Sequence, residues 1–161
     1  MRGPMLALLL GIAGCAPAGP PFASVAATLP PVPAAMARIF FYRWLEPYET
    51  LTPTTAFLNG APVGVTEPGA VLYRDVARGQ YTIAVKSEGV FPDQFKTVTV
   101  NAGDKVYVRV ESLSNWASCG SGGGGDSGGG ASSGCVDTFV VQIMDPAVAS
   151  YEMRDLRFIG G

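Results

Sequence analysis

The sequence predicts an all-β protein, an antiparallel β-sandwich of about seven or eight strands with a short C-terminal helix. Between residues 38 and 144, short stretches of alternating apolar and polar residues recur, with turn residues between them. The chain has 21 glycines and 13 prolines, and no long stretch repeats its apolar residues at the helical period. Short strands without intervening helices are typical of antiparallel sandwiches and barrels.

The strands can be placed in order from their turns. Asn59-Gly60 predicts a type I′ hairpin turn between strands 54–58 and 61–66. Pro62 cannot donate a ladder hydrogen bond, so the second arm of this hairpin is expected at a sheet edge. The other strands with an alternating pattern are predicted at 71–76, 80–86, 95–100, 105–112 and 136–144.

A helix is predicted after the last of these strands. Asp145-Pro146 is a favourable pair for an N-cap and a first helical residue, which predicts a helix over 147–156. We expect this helix to close one end of the sandwich. The side chains expected to lie together on one side are Val148, Tyr151 and Leu156.

The first predicted strand, 38–44, is apolar on both faces, and we therefore expect both faces to be covered. Phe40, Tyr42 and Trp44 alternate along it and share one face. An aromatic row in a sandwich is usually core. A surface formed by Tyr42, Trp44 and Trp116 would instead be a binding surface for a glycan or a protein.

The N-terminus has the pattern of an export signal. Arg2 precedes a short apolar run that ends at small residues, and this run is far shorter than the roughly 20 residues needed to span a bilayer. Ile12-Ala13-Gly14-Cys15 resembles the bacterial lipobox. The resemblance implies a lipoprotein signal peptide over 1–14, acylation of Cys15 by lipid such as palmitate, and, because alanine follows the cysteine, sorting to the outer membrane.

An alternative cleavage remains open, because Ala16-Pro17-Ala18 also fits ordinary signal peptidase, which would release a soluble protein. Under the lipobox interpretation, residues 15–36 are predicted to be the lipidated cysteine and a tether rich in proline and alanine, followed by the domain at 37–161. Another possibility is that residues 22–29 pack back onto the domain as an extra strand at an edge.

Cys119 and Cys135 enclose a glycine-rich segment. In an exported protein they are expected to form a disulfide that closes the loop 119–135. A loop of that length contributes about 3 kcal/mol in the chain-entropy account. The segment between them carries no apolar side chains to bury, so it is expected to remain mobile.

Several of these motifs together resemble a bacterial lipoprotein family known as domain of unknown function 2846. The resemblance rests on the strand at 38–43, the turn at Asn59-Gly60, and the segments 73–81 and 102–108. That family is similar in turn to prealbumin-like and carboxypeptidase-regulatory-like sandwiches. The resemblance implies the sandwich fold and an envelope location, and no activity.

The sequence offers little for catalysis. The chain has no histidine, the commonest general base and zinc ligand, and no nucleophile elbow or P-loop. Asp126 among glycines supplies too few oxygens for a calcium site. We therefore predict no catalytic residue, no metal site and no cofactor. The carboxylates that a hydrolase would need are Glu46 with Glu49, or Asp75 with Asp104.

The net charge of -2 gives no electrostatic case for nucleic acid. The sequence thus predicts an outer-membrane lipoprotein whose non-catalytic sandwich binds or positions a protein or glycan partner in the cell envelope. The alternatives are a periplasmic module that binds a small ligand or a glycan on an aromatic face, and a hydrolase with a carboxylate pair.

Overall fold

The structure is a computed structural model, and it describes residues 17–46, 50–87, 94–113 and 137–161. Over these ranges it contains a five-stranded and a four-stranded sheet and two short helices. The helices are α1 Phe22–Val25 and α2 Pro146–Met153. The strands are β1 Met36–Arg43, β2 Thr54–Leu58, β3 Ala61–Thr66, β4 Ala70–Ala77, β5 Gly79–Val85, β6 Phe95–Val100, β7 Lys105–Ser112, β8 Phe139–Met144 and β9 Arg157–Gly160.

The predicted all-β sandwich is confirmed, but it has nine strands in the described ranges instead of seven or eight, and two of its strand pairings are parallel. The sheets have the orders β8-β7-β1-β4-β9 and β3-β2-β5-β6. Most neighbours are antiparallel, but β1 pairs with β7, and β4 with β9, in parallel. Parallel neighbours cannot be joined by a tight turn, and here long stretches of chain separate them: the strands of the second sheet lie between β1 and β7, and α2 lies between β4 and β9. Residues 157–161, for which the sequence predicted no element, supply β9 at the edge.

The hairpin of β2 and β3 forms as its sequence predicts. Asn59 and Gly60 have φ angles of 50° and 79°, the positive values that a type I′ turn requires. The Asn59 side chain also accepts a hydrogen bond from the amide of Thr82, at 2.8 Å, which ties the turn to β5. The strand β3, which contains Pro62, lies at the edge of its sheet.

The strand β1 separates two apolar cores, as its apolar faces predict. All of its residues after Met36 are buried. Ile39 and Phe41 pack in the inner core, which lies between the two sheets. Phe40 and Tyr42 point the other way, into an outer core on the far side of the five-stranded sheet.

The described part of the predicted tether packs onto this far side. Phe22 is 7% exposed and meets Phe40 edge to face, with ring centroids 5.8 Å apart. The amide of Phe22 donates to the carbonyl of Leu156 and that of Phe158 to the carbonyl of Pro20. The segment is therefore part of the domain rather than an extended tether, and its central part is a short helix rather than the extra strand also considered.

The helix α2 covers the outer face instead of closing an end. Asp145 caps it by accepting from the amides of Ala147 and Val148, as predicted. Its buried side consists of Ala149 and Met153, whereas Tyr151 is 63% exposed. Of the three side chains predicted to pack, Leu156 is buried, but the prediction was wrong for Val148 and Tyr151, because the apolar residues of this helix are spread around it and do not define one face. Neither helix of the described ranges has the length and hydropathy of a membrane span.

Candidate functional site

A groove runs between the N-terminal segment and α2, over the outer face of the five-stranded sheet. Its volume is about 330 Å³. Phe40 and Tyr107 form its floor, and their rings stack with centroids 5.2 Å apart. The walls come from α1 and the prolines after it on one side, and from Ser150 and Met153 of α2 on the other.

One wall of the groove is held by Arg38, which is 3% exposed. Its guanidinium donates to both carboxylate oxygens of Asp75, at 2.7 and 2.8 Å, and to the carbonyl of Pro30, at 2.8 Å. It also lies 3.9 Å from the ring centroid of Tyr73. The hydrogen bonds to Asp75 raise the pKa of Arg38, which therefore stays charged and keeps residues 30–32 against the sheet.

Two polar groups of the groove remain available to a ligand. Lys105 and the hydroxyl of Tyr107 line it, and neither makes a hydrogen bond or an ion pair within the described part of the chain. Burial raises the pKa of Tyr107, so its hydroxyl remains protonated and can donate at neutral pH. Arg154 also lines the groove but donates to Asp155, at 2.9 Å.

A cluster of polar side chains lies beside the groove, beneath α2. Glu152 accepts from the hydroxyl of Tyr42, at 2.5 Å, and from Arg109, at 2.9 Å. Arg109 also pairs with Glu111, at 2.5 Å, and donates to Gln142, at 2.9 Å. The two carboxylates therefore share one guanidinium, and this arrangement is that of a structural network joining α2 to the sheet.

The carboxylates considered for a hydrolase are not brought together where the structure describes them. Asp75 pairs with Arg38, and Asp104 accepts from the backbone and side chain of Asn101. Glu49 lies outside the described residues. Within the described ranges no three acidic or sulfur side chains group as a metal site would require.

The predicted aromatic surface is only partly at the surface. Tyr42 has no exposed area, so it is a core residue and cannot be part of a binding surface. Burial and the bond to Glu152 raise the pKa of Tyr42. Trp44 is half-buried and donates its indole N–H to the carbonyl of Glu152, at 3.2 Å. It lines a shallow depression of about 350 Å³ together with the exposed Tyr151 and Leu45.

A second exposed feature adjoins this depression. Leu45 and Leu51 are 59% and 67% exposed and lie around a depression of about 390 Å³. We call it the leucine–proline patch, and its members are Pro17, Leu45, Leu51, Pro53 and Pro68. It lies at the end of the sandwich where β1 finishes and β2 and β4 begin.

The remaining predicted site residues, Cys15, Cys119, Cys135 and Trp116, lie outside the described residues. The chain enters the described structure two residues after Cys15, at Pro17 in the leucine–proline patch. Sequence reasoning missed the groove because Phe22 was assigned to a tether. Phe22 is the one aromatic residue between positions 16 and 35, and that was the signal that could have indicated packing.

Comparison with known proteins adds no relative from which a function could be carried over. No protein-family model, curated protein or solved structure matches this chain. The resemblance to the family of domain of unknown function 2846 therefore stays a prediction.

Proposed function

We propose that this protein is a lipid-anchored lipoprotein of the bacterial outer membrane, whose non-catalytic sandwich binds or positions a partner in the cell envelope. One observation supports the proposal: the lipobox-like motif ends at Cys15, only two residues before Pro17, where the described chain lies at the surface of the folded domain. An acyl group on Cys15 would thus hold the domain directly at a membrane.

The non-catalytic part of the proposal is supported by how the acidic side chains are used. Asp75 and Glu152 are each bound to an arginine within the fold. General acid–base chemistry needs a titratable group within reach of a substrate. The chain has no histidine, the commonest such group, and these two carboxylates are held in ion pairs. The arrangement therefore favours binding over reaction.

The intact mass of the protein from the membranes of a bacterial host tests the anchor. We expect a chain that begins at Cys15 and carries a lipid-sized increment, which the variant Cys15→Ser lacks. Measuring the mass again after reduction tests the pairing of Cys119 with Cys135. An unmodified chain that begins near Gly19 would contradict the anchor, because it is the product of ordinary signal peptidase.

A second candidate function is supported by the groove. Its volume of about 330 Å³ is in the range of small-molecule sites, and it combines an aromatic floor with Lys105 and the Tyr107 hydroxyl. The chemistry that fits is a small amphiphile with an apolar body and one anionic group. This second candidate places the ligand-binding alternative at Phe40 and Tyr107 instead of Tyr42, on the same face of the sheet.

Titration with the dye anilinonaphthalene sulfonate, and its displacement by a medium-chain fatty acid, tests the groove. Reversing the charge in Lys105→Glu is expected to weaken binding by roughly tenfold. Lys86→Glu is the matched control, since Lys86 is an exposed lysine at the end of β5 in the other sheet. Equal loss in both variants, or no saturable binding, would contradict this function.

A further inference from the structure

The two leucines of the leucine–proline patch are held outward by their backbone. Arg43 is fully buried, and its guanidinium donates to the carbonyls of Thr50 and Thr52, on either side of Leu51. The carbonyl of Arg43 also accepts from the amide of Gly69, at 2.9 Å. The backbone around Leu51 is therefore tied to the sandwich while the side chain stays exposed.

The N-terminal end of the described chain is held in the same patch. A side-chain carbon built on Gly69 would lie 3.4 Å from Leu45 and 3.9 Å from Pro17, so the backbone of Gly69 lies close to both residues. Beyond Pro17, the segment is bonded to β9, where the carbonyl of Pro20 accepts from Phe158. The chain therefore cannot lift away from the patch without breaking these contacts.

Covalent geometry then limits where Cys15 can be. Two residues span at most about 7 Å between their α-carbons. With the length of its side chain added, the sulfur that the proposed anchor would acylate lies within about 10 Å of Pro17, whatever the path of residues 15 and 16. A bilayer that holds these acyl chains must meet the domain at or beside the leucine–proline patch.

The chemistry of the surface fits the boundary between lipid headgroups and acyl chains. We propose, on the basis of the proposed lipid anchor, that the leucine–proline patch lies on the bilayer, with Leu45 and Leu51 inserted among the headgroups. Trp44 and Tyr151, beside Leu45, have the amphipathic rings that are enriched at this level of membrane proteins. The domain sits on the membrane instead of standing clear of it.

Charge around the patch indicates which lipids matter. Glu67 is a lining residue, Glu46 directly follows Leu45, and in the adjoining depression Arg154 is paired with Asp155. Acidic groups at this position give no attraction to anionic lipids. The contact therefore depends on apolar insertion, and its strength should not increase with the anionic lipid content of the membrane.

Quenching of Trp44 by lipid tests the orientation. The lipidated protein carrying Trp116→Phe, which leaves Trp44 as its one tryptophan, is reconstituted in vesicles of phosphatidylethanolamine and phosphatidylglycerol that contain a phosphatidylcholine brominated along its acyl chains. We expect a blue-shifted emission and strong quenching. The reference protein carries Trp44→Phe, Trp116→Phe and Ala102→Trp, because Ala102 is exposed in the turn beside the start of β1, about 25 Å away along the strand. Its quenching should be weak.

The patch itself is tested by Leu51→Glu in the Trp116→Phe protein. Inserting a charge among acyl chains is unfavourable, so the quenching of Trp44 should be lost. Ala102→Glu is the control, since Ala102 is exposed in the turn beside Met36, at the end of β1 away from the patch. It should leave the quenching unchanged, and near-ultraviolet circular dichroism verifies that both variants fold.

The outcomes separate this inference from the proposed function. A protein whose mass includes the lipid but whose Trp44 is no more quenched than the Ala102→Trp reference would overturn the bilayer contact and leave the anchor standing. The patch would then be available to a protein or glycan. Quenching that persists in Leu51→Glu would overturn the role of the patch. A mass without lipid would overturn both.

Discussion

The two cores on either side of β1 differ in what they contain and in what covers them. The inner core is mostly aliphatic and is enclosed by the two sheets. The outer core is rich in aromatic residues, is covered by α1, α2 and the N-terminal segment, and borders on the polar cluster around Glu152. Both faces of one strand are buried, but only one of them lies beneath another sheet.

Stability and binding are expected to reside on different sides of β1. The inner core packs the two hydrogen-bonded sheets against each other. Losing its side-chain contacts should therefore unfold the domain. The outer core is covered by short segments that are held by a few hydrogen bonds. The groove and the leucine–proline patch both lie on this side or adjoin it, because short covering segments leave gaps that a second sheet would close.

The largest effect is expected from the inner core. Phe41 has no exposed area, so Phe41→Ala leaves a cavity and should lower the free energy of unfolding by about 3–5 kcal/mol. Chemical denaturation measures this. Tyr151→Ala is the control, because Tyr151 is 63% exposed and should change stability by less than about 0.5 kcal/mol. If Phe22→Ala in the outer core cost as much as Phe41→Ala, the proposed distinction between the cores would be wrong.

A smaller loss is expected when the polar cluster of the outer core is opened. Glu152→Ala leaves Arg109 and the hydroxyl of Tyr42 without their acceptor, which should cost about 2–3 kcal/mol, since Arg109 keeps some exposure and its pair with Glu111. The control is Arg154→Ala, which removes an exposed ion pair with Asp155 and should not change stability measurably. Equal behaviour of the two variants would show that the cluster does not hold α2.

The covering segment itself can be released at Gly19. This residue has a φ of 154°, and a Cβ there would lie 2.2 Å from the carbonyl oxygen of Phe158. Gly19→Ala should therefore detach the N-terminal segment at a cost of about 1–2 kcal/mol, with faster hydrogen exchange at Phe22 and Phe158. Gly79→Ala is the matched control, because its nearest contact would be the Tyr81 ring at 3.8 Å. Unchanged exchange in Gly19→Ala would contradict the docking of this segment.

The smallest effect concerns pH. The pKa of Tyr42 is raised from its usual 10.0 by burial and by Glu152, so the folded state holds this proton more tightly than the unfolded state. Its contribution is complete below about pH 10 and is lost as the pH rises beyond that. Denaturation curves should show stability falling above this pH in the wild type, and less steeply in Tyr42→Phe. Equal slopes would contradict a buried, protonated Tyr42.

Much of the fold could be predicted because its signals are local. Alternation located the strands, Asn59-Gly60 located a hairpin, and Asp145-Pro146 located the start of α2. The two parallel pairings could not be predicted, since β1 and β7 are far apart in the chain and no local pattern specifies which distant strand lies beside a central one. The packed side of α2 was missed for the same reason, because its partners Tyr42 and Arg109 come from other elements.

The candidate site was less predictable than the fold. Proline and alanine around Phe22 are typical of a linker, and only the presence of an uncovered aromatic face on β1 gives this segment something to pack against. The exposed leucines of the patch are not exceptional in sequence. They form a patch only because they lie together beside Pro17. That arrangement depends on Arg43 and Gly69, which hold the end of β1, the segment before β2 and the turn before β4 close to one another.

Local sequence was sufficient for eight of the nine described strands, for their turns, for the doubly apolar character of β1 and for the lipobox-like motif before Pro17. Each depends on neighbours within a few residues, where backbone preference and side-chain alternation act directly. Only the tertiary structure decided which side of β1 faces the second sheet, that the N-terminal segment covers the other side, and that Pro17 meets Leu45 and Leu51. Those outcomes depend on the free energy of burying apolar surface between segments that are distant in the chain. That burial occurs only when the whole domain has packed.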